Sequence, residues 1–274
     1  MLKVLLLFVL TLLSEGSDTC AAASAQQAHA QQFDSFRLSY FDGRGLAEVP
    51  RTLFATAGLF PGSGFDDVRM TRPEFAAAKG KGDLAQNLDR LPVLNHNGAV
   101  IGQSGAINRY LARRLGLVGT SEVEAAQVDA LTEHIADVRA AYRKLFPYRQ
   151  ELTAAEAEAN GKVWFDTPAV PAVEDRSERQ LRWFLGHIET TLPGGGYSVG
   201  GRPSLADAQF FNLLGEHAPE VEDKMKAEPF GSLARTTDVL SAYPKLKAVV
   251  DAFRQSPGMQ HYLSVRGDAG KVKW

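Results

Sequence analysis

Four short segments hold side chains able to act on an anionic or nucleophilic ligand: Tyr40, Arg44, Leu91-Pro92 and Gln103-Ser104. A phenol donates a hydrogen bond while staying neutral at pH 7, and an arginine adds a permanent positive charge. A glutamine and a serine at a helix start can meet an anion together with the helix's own backbone donors. Each residue alone also has an ordinary structural role. Tyr40 serves as half-buried filler, Arg44 as a surface charge, Pro92 as a turn residue and Ser104 as a helix cap.

Other chemistries fit less well. Gly43-Arg44-Gly45 resembles the opening of a dinucleotide turn, but Glu48 holds the third glycine position and would oppose a pyrophosphate. Gly102-Gln103-Ser104-Gly105-Ala106 resembles a nucleophile elbow with its last glycine replaced. No later strands carry the acid and histidine such a serine needs. Ser204-Leu205-Ala206-Asp207 reads as a helix cap, its hydroxyl and carboxylate satisfying backbone donors. One cysteine and six scattered histidines, none three or four apart, form no metal-ligand pattern.

The elements that must position these residues fall into two kinds. Phe36–Phe41 alternates as a strand, with Phe36, Leu38 and Tyr40 on one face. Asp42-Gly43-Arg44-Gly45 is a turn, and 46–57 is a helix with Leu46, Val49, Leu53 and Phe54 at helical spacing. A second strand spans 65–70, a short helix 73–79 and a polar loop 80–90. Residues 92–95 and 99–101 form a hairpin across Asn97-Gly98, and Ser104 caps a helix that Gly116 closes. Beyond Gly119 only helices follow. Val123, Val128, Leu131, Ile135, Val138, Tyr142 and Leu145 mark a long amphipathic one from Ser121 to Phe146. Others are expected over 174–192, from Ser204 and over 244–255. The order βαβαββα and then all helix divides the chain near residue 119.

The 274 residues are 45% apolar, enough for one large or two small cores. Thirty basic against 32 acidic residues leave a net charge of −2, without the basic excess of a nucleic-acid binder. The chain opens with Lys3, an apolar run from Val4 to Leu13 and Ala23-Ser24-Ala25. That run is too short to span a bilayer and suits a cleaved signal peptide over 1–25, with a linker over 26–35. Secretion, or the first half of a bipartite organelle address, is the expected destination; without cleavage it is the cytoplasm.

In this order and on this topology, the four segments resemble the glutathione transferases, most closely the sigma class. The likeness runs through Leu38-Ser39-Tyr40-Phe41-Asp42-Gly43-Arg44-Gly45-Leu46-Ala47-Glu48, then Arg90-Leu91-Pro92-Val93-Leu94. It continues in Gln103-Ser104-Gly105-Ala106-Ile107-Asn108-Arg109-Tyr110-Leu111, Ser204-Leu205-Ala206-Asp207 and Tyr243-Pro244-Lys245-Leu246. It implies an α/β thioredoxin-like domain over 36–118 followed by an all-α domain over 119–274. It also implies a homodimer that joins glutathione, as co-substrate and with no cofactor, to small hydrophobic electrophiles. Sigma relatives that isomerise prostaglandin endoperoxides and crystallins on the same scaffold are the alternatives.

The resemblance also assigns roles. Tyr40 would donate to the glutathione thiolate, with Arg44 orienting it or adding field. Leu91, before a cis-Pro92, would pair its backbone with the cysteinyl part, and Gln103 and Ser104 would hold the γ-glutamyl carboxylate. Asp137 would reach the glutathione amine of a partner subunit. Where the sigma class has a tryptophan and a lysine, this chain has Arg72 and Ala76. Arg72, Lys79, Lys81 or Arg90 is left to hold the glycyl carboxylate. Phe41, Arg139, Tyr142 and Tyr148 would line the second substrate's pocket.

Overall fold

The computed structural model describes residues 35–147, 151–168, 179–215 and 239–266. The expected leader and Tyr148 lie outside them. The first domain is a four-stranded sheet in the order β2-β1-β3-β4. β1 (Phe36–Phe41) runs parallel to β2 (Asp66–Met70) and antiparallel to β3 (Val93–His96), which pairs with β4 (Ala99–Gly102). The alternation in β1 is realised: Phe36, Leu38 and Tyr40 are buried. Asn97 and Gly98 turn the hairpin with φ of 51° and 88°, the doubly left-handed geometry that Asn-Gly favours.

Three helices belong to this domain. A 3-10 turn at Gly45–Ala47 leads into α1 (Glu48–Thr56), and α2 (Arg72–Lys81) opens on a Thr71/Glu74 capping box. α3 spans Ser104–Arg114. Leu46, expected on the core face of a helix over 46–57, is 52% exposed. It sits in the 3-10 turn, before the α-helical register begins. The segment 80–90 is more than a polar loop: it contains a 3-10 turn at Ala85–Asn87 and buries Leu84 and Asn87.

Described residues after Gly119 are helical or connecting, as expected. α4 (Glu122–Leu145) buries Val128, Leu131, Ile135, Val138 and Tyr142, while Val123 in its first turn is exposed. α5 (Ala154–Asp166) was not anticipated, although Thr153 and Glu156 form a capping box. α6 (Leu181–Thr191) starts at Leu181; of the expected span, 174–178 lies outside the described residues. α7 (Leu205–Phe210) continues into a π-helical turn, Phe211–Gly215. α8 (Pro244–Gln255) and α9 (Pro257–Val265) follow.

The Ser204/Asp207 cap has the predicted geometry. Asp207 accepts from Ser204 N–H at 2.8 Å and Ser204 Oγ at 2.6 Å, and its second oxygen accepts from Ser198 N–H at 2.7 Å. Burial raises the Asp207 pKa against the pull of those bonds. The two domains meet tightly where α9 crosses α1. A Cβ on Gly258 would lie 2.0 Å from the Ala55 carbonyl oxygen.

Candidate active site

A cleft of about 410 Å³ lies between the domains. Arg44, Leu46 and Ser104 line it from the sheet domain, and Arg139, Tyr142 and Asn212 from the helical one. Tyr40 is 6% exposed at the end of β1. Its hydroxyl oxygen accepts a 3.3 Å hydrogen bond from the Leu46 N–H, which ties the ring to the turn that carries Arg44. Arg44 and Ser104 thus line one cleft from two separate segments, while Tyr40 is not among the lining residues and is tied to the turn beside it.

A buried arginine holds that turn. Arg51 on α1 is 1% exposed, and its Nη1 donates to the Gly43 carbonyl at 2.6 Å. Nε and Nη2 reach Asp67 Oδ1 at 3.1 and 3.0 Å, and Glu48 lies 3.7 Å away. Glu48 also accepts from Tyr262 on α9 at 3.0 Å and from Arg266, just beyond that helix, at 2.7 Å. Burial opposes the Glu48 charge, but Arg266 and Arg51 together hold its carboxyl below the ordinary value.

Leu91-Pro92 is a cis peptide, and both residues are buried. Gln103, not Ser104, is the N-cap of α3; its φ is 64° and its side chain makes no capping bond. That backbone turn places Ser104 as the first helical residue, lining the cleft. Asn87 joins the two segments. Its Nδ2 donates to the carbonyls of Arg90 at 3.0 Å and Pro92 at 2.9 Å, and its Oδ1 accepts from Gln103 N–H at 2.9 Å. Gly102 makes the approach possible: a Cβ there would lie 2.6 Å from the Asn87 side chain.

The remaining candidates scatter. Phe41 follows Tyr40 in β1 and so points to the other face. It packs against Phe75 at 5.1 Å, under the Arg72 guanidinium at 5.2 Å, and does not line the cleft as expected. Arg90 is exposed, with Nε 3.4 Å from the Asn87 carbonyl. Asp137 is exposed on α4. Arg139 and Tyr142 do line the cleft. Burial raises the Tyr142 pKa to about 12, partly offset by Arg143.

The family signature of the glutathione S-transferase N-terminal domain matches residues 37–113, and that of the C-terminal domain matches residues 162–266. Glutathione S-transferase 1 of Ascaris suum is 30% identical over 231 residues, 84% of this chain and 96% of its own length. The chain belongs to the glutathione S-transferase family. Hematopoietic prostaglandin D synthase of Gallus gallus is 32% identical over 157 residues, 57% of this chain and 73% of its own. A solved glutathione S-transferase of Caenorhabditis elegans superposes with a TM-score of 0.62 at 25% identity, covering 85% of this chain and 98% of that one. The sheet domain is therefore the thioredoxin-like half of the glutathione S-transferase fold, and glutathione transfer is the activity its site serves.

Arg51 and Asn87 are the site-organising residues that sequence reasoning missed. Arg51 and Glu48 sit in a helix that buries every residue from Glu48 to Ala55, a burial that their charged side chains do not announce in the sequence. Asn87→Ala would orphan the Gln103 N–H and two carbonyls. The expected loss is about 1–3 kcal/mol of stability together with weaker glutathione binding. Denaturant titration and calorimetry check both; an unchanged glutathione affinity removes Asn87 from the site.

Proposed function

We propose that the protein is a sigma-type glutathione transferase that conjugates glutathione to small electrophiles in detoxification, with Tyr40 stabilising the thiolate. The observation that carries this is the tether from Leu46 N–H to Tyr40 Oη beside a cleft lined by Arg44 and Ser104. A phenol can accept one hydrogen bond and donate another, and in this reading the donation goes to sulfur. A thiol of pKa about 8.5 is only a few per cent ionised at pH 7. Lowering it by about two units takes about 2.7 kcal/mol, within reach of one directed O–H···S⁻ bond plus the field of Arg44.

Glutathione lies along the sheet domain in this reading. Leu91 pairs with its cysteinyl backbone next to the cis-proline, Gln103 and Ser104 take the γ-glutamyl carboxylate, and Arg72 or Arg90 takes the glycyl end. The electrophile enters from the α4 side, toward Arg139 and Tyr142. Retention on immobilised glutathione, followed by turnover of a generic aryl halide, tests the whole. A protein that neither binds nor turns over overturns it. Similarity to the prostaglandin D synthase supports a second reading, endoperoxide isomerisation, which regenerates glutathione; measured glutathione consumption decides between the two.

Assembly is part of the proposal. Asp137 is exposed on α4, and in this reading it faces a second subunit across a two-fold axis. Asp137→Ala is expected to weaken glutathione binding about tenfold while leaving a dimer, the loss of one charge-assisted hydrogen bond. Sedimentation that shows a fully active monomer contradicts it. Residues 1–25 are expected to be missing from protein taken from its native source, which then travels the secretory route or enters an organelle. N-terminal sequencing that reads from Met1 returns it to the cytoplasm.

A further inference from the structure

The cleft is lined by more guanidinium groups than the thiolate reading uses. Four guanidinium groups, on Arg44, Arg109, Arg139 and Arg143, line it with one carboxylate, Glu133. Glu133 is already engaged by Arg109, which also binds Asp129. Arg139 is different. Its Nη2 donates to Asn212 Oδ1 at 2.8 Å, and among the described residues no carboxylate pairs with it. Burial, with the nearby charge of Arg143, lowers its pKa to about 10, so it stays charged at pH 7. A guanidinium drawn partly out of water without a counter-charge is unfavourable, and an anionic ligand relieves that cost.

The position of Arg139 separates it from the glutathione segments. It projects from α4, whereas Leu91, Gln103 and Ser104 belong to the sheet domain across the cleft. Leu46, Val49 and Ala136 supply apolar surface in the same cavity. We propose that the electrophile subsite takes an anionic acceptor: a small apolar body bearing one carboxylate, held by Arg139 while its electrophilic carbon faces the thiolate. This rests on the transferase reading of the same cleft.

A matched pair of probes tests it: 4-chloro-3,5-dinitrobenzoate and the corresponding neutral benzamide. The glutathione thiol first loses its proton to solvent. Sulfur then adds to the chlorine-bearing carbon, the C–S bond forms, and chloride leaves with the C–Cl bonding pair. With each rate divided by its uncatalysed rate, the wild-type protein is expected to prefer the benzoate at least tenfold, as charge-assisted pairing predicts. Arg139→Gln is expected to lower that preference about tenfold with the glutathione Kd unmoved.

An unchanged preference in the variant overturns the assignment of Arg139. A raised glutathione Kd assigns the arginine to the peptide instead and also overturns it. Direct binding of the unreactive 3,5-dinitrobenzoate and 3,5-dinitrobenzamide to the wild-type protein needs neither turnover nor a folded variant. Equal affinities there sink the anionic subsite. A marked benzoate preference without thioether formation keeps the subsite and sinks only the transferase reading.

Discussion

Tyr40→Phe is expected to lower kcat/KM about 100-fold at pH 7, in the range for a lost donor to a developing or full anion. The substitution is clean in this setting. The ring keeps its edge contact with Phe41 at 5.7 Å, and only the hydroxyl leaves. The Leu46 N–H loses its acceptor, but Leu46 is 52% exposed, so water replaces it at little cost in stability. In the proposed binding mode glutathione is held through its carboxylates and backbone, so its Kd is expected to change little. The bound thiol's pKa is expected to return toward about 8.5. The defect therefore shrinks as pH rises toward 9, where solvent alone ionises the thiol. A pH–rate profile with parallel wild-type and variant curves would contradict the donor role. Near wild-type turnover at pH 7 would move the role to Ser104, which lines the cleft, rather than to Ser39 on the opposite face of β1.

What could be read from the sequence depended on how local the signal was. The β1 alternation, the Asn97-Gly98 hairpin and the Ser204/Asp207 cap are each decided within a few residues, and all three appear as read. The cis-Pro92 came from resemblance, and the structure has it. Long-range pairing was not legible. Asn87 sits in a stretch of Gly, Asp, Asn and Arg that reads as solvated loop, and its importance depends on Gln103, sixteen residues away. Helical periodicity misplaced Leu46 and Val123 for a related reason: each stands at an element's first turn, where spacing matches the stripe but no neighbour covers it. α5 escaped because its Ala- and Glu-rich surface shows a weak stripe, although its capping box was visible in Thr153 and Glu156.

Arg51→Met carries the largest expected effect on stability. A methionine of similar length fills the space but removes every charge and donor from a buried cluster. The Gly43 carbonyl, which Arg51 bonds at 2.6 Å, is left buried without that donor. Among the described residues Asp67 keeps Arg69, at 2.9 Å, and Glu48 keeps Arg266 and Tyr262. Among the described residues nothing hydrogen-bonds the buried Glu48 Oε2, and Arg51 lies 3.7 Å from it. Breaking a buried ion pair by removing one partner costs about 3–5 kcal/mol. For a chain of this size that lowers Tm by about 10 °C. The cluster also gives stability a pH dependence. The Glu48 carboxyl is lowered in the folded state, so its contribution is complete above the unfolded value of 4.5 and is lost as pH falls through the lower folded one. Glu48→Gln is expected to flatten that acid limb. Because Gly43 lies between Tyr40 and Arg44, Arg51→Met is expected to slow turnover by the protein that remains folded. Denaturant titrations at pH 7 and pH 4, with activity measured on the folded fraction, separate these effects. A variant as stable and active as the wild type would show that Arg51 does not hold the turn to which Tyr40 is tied.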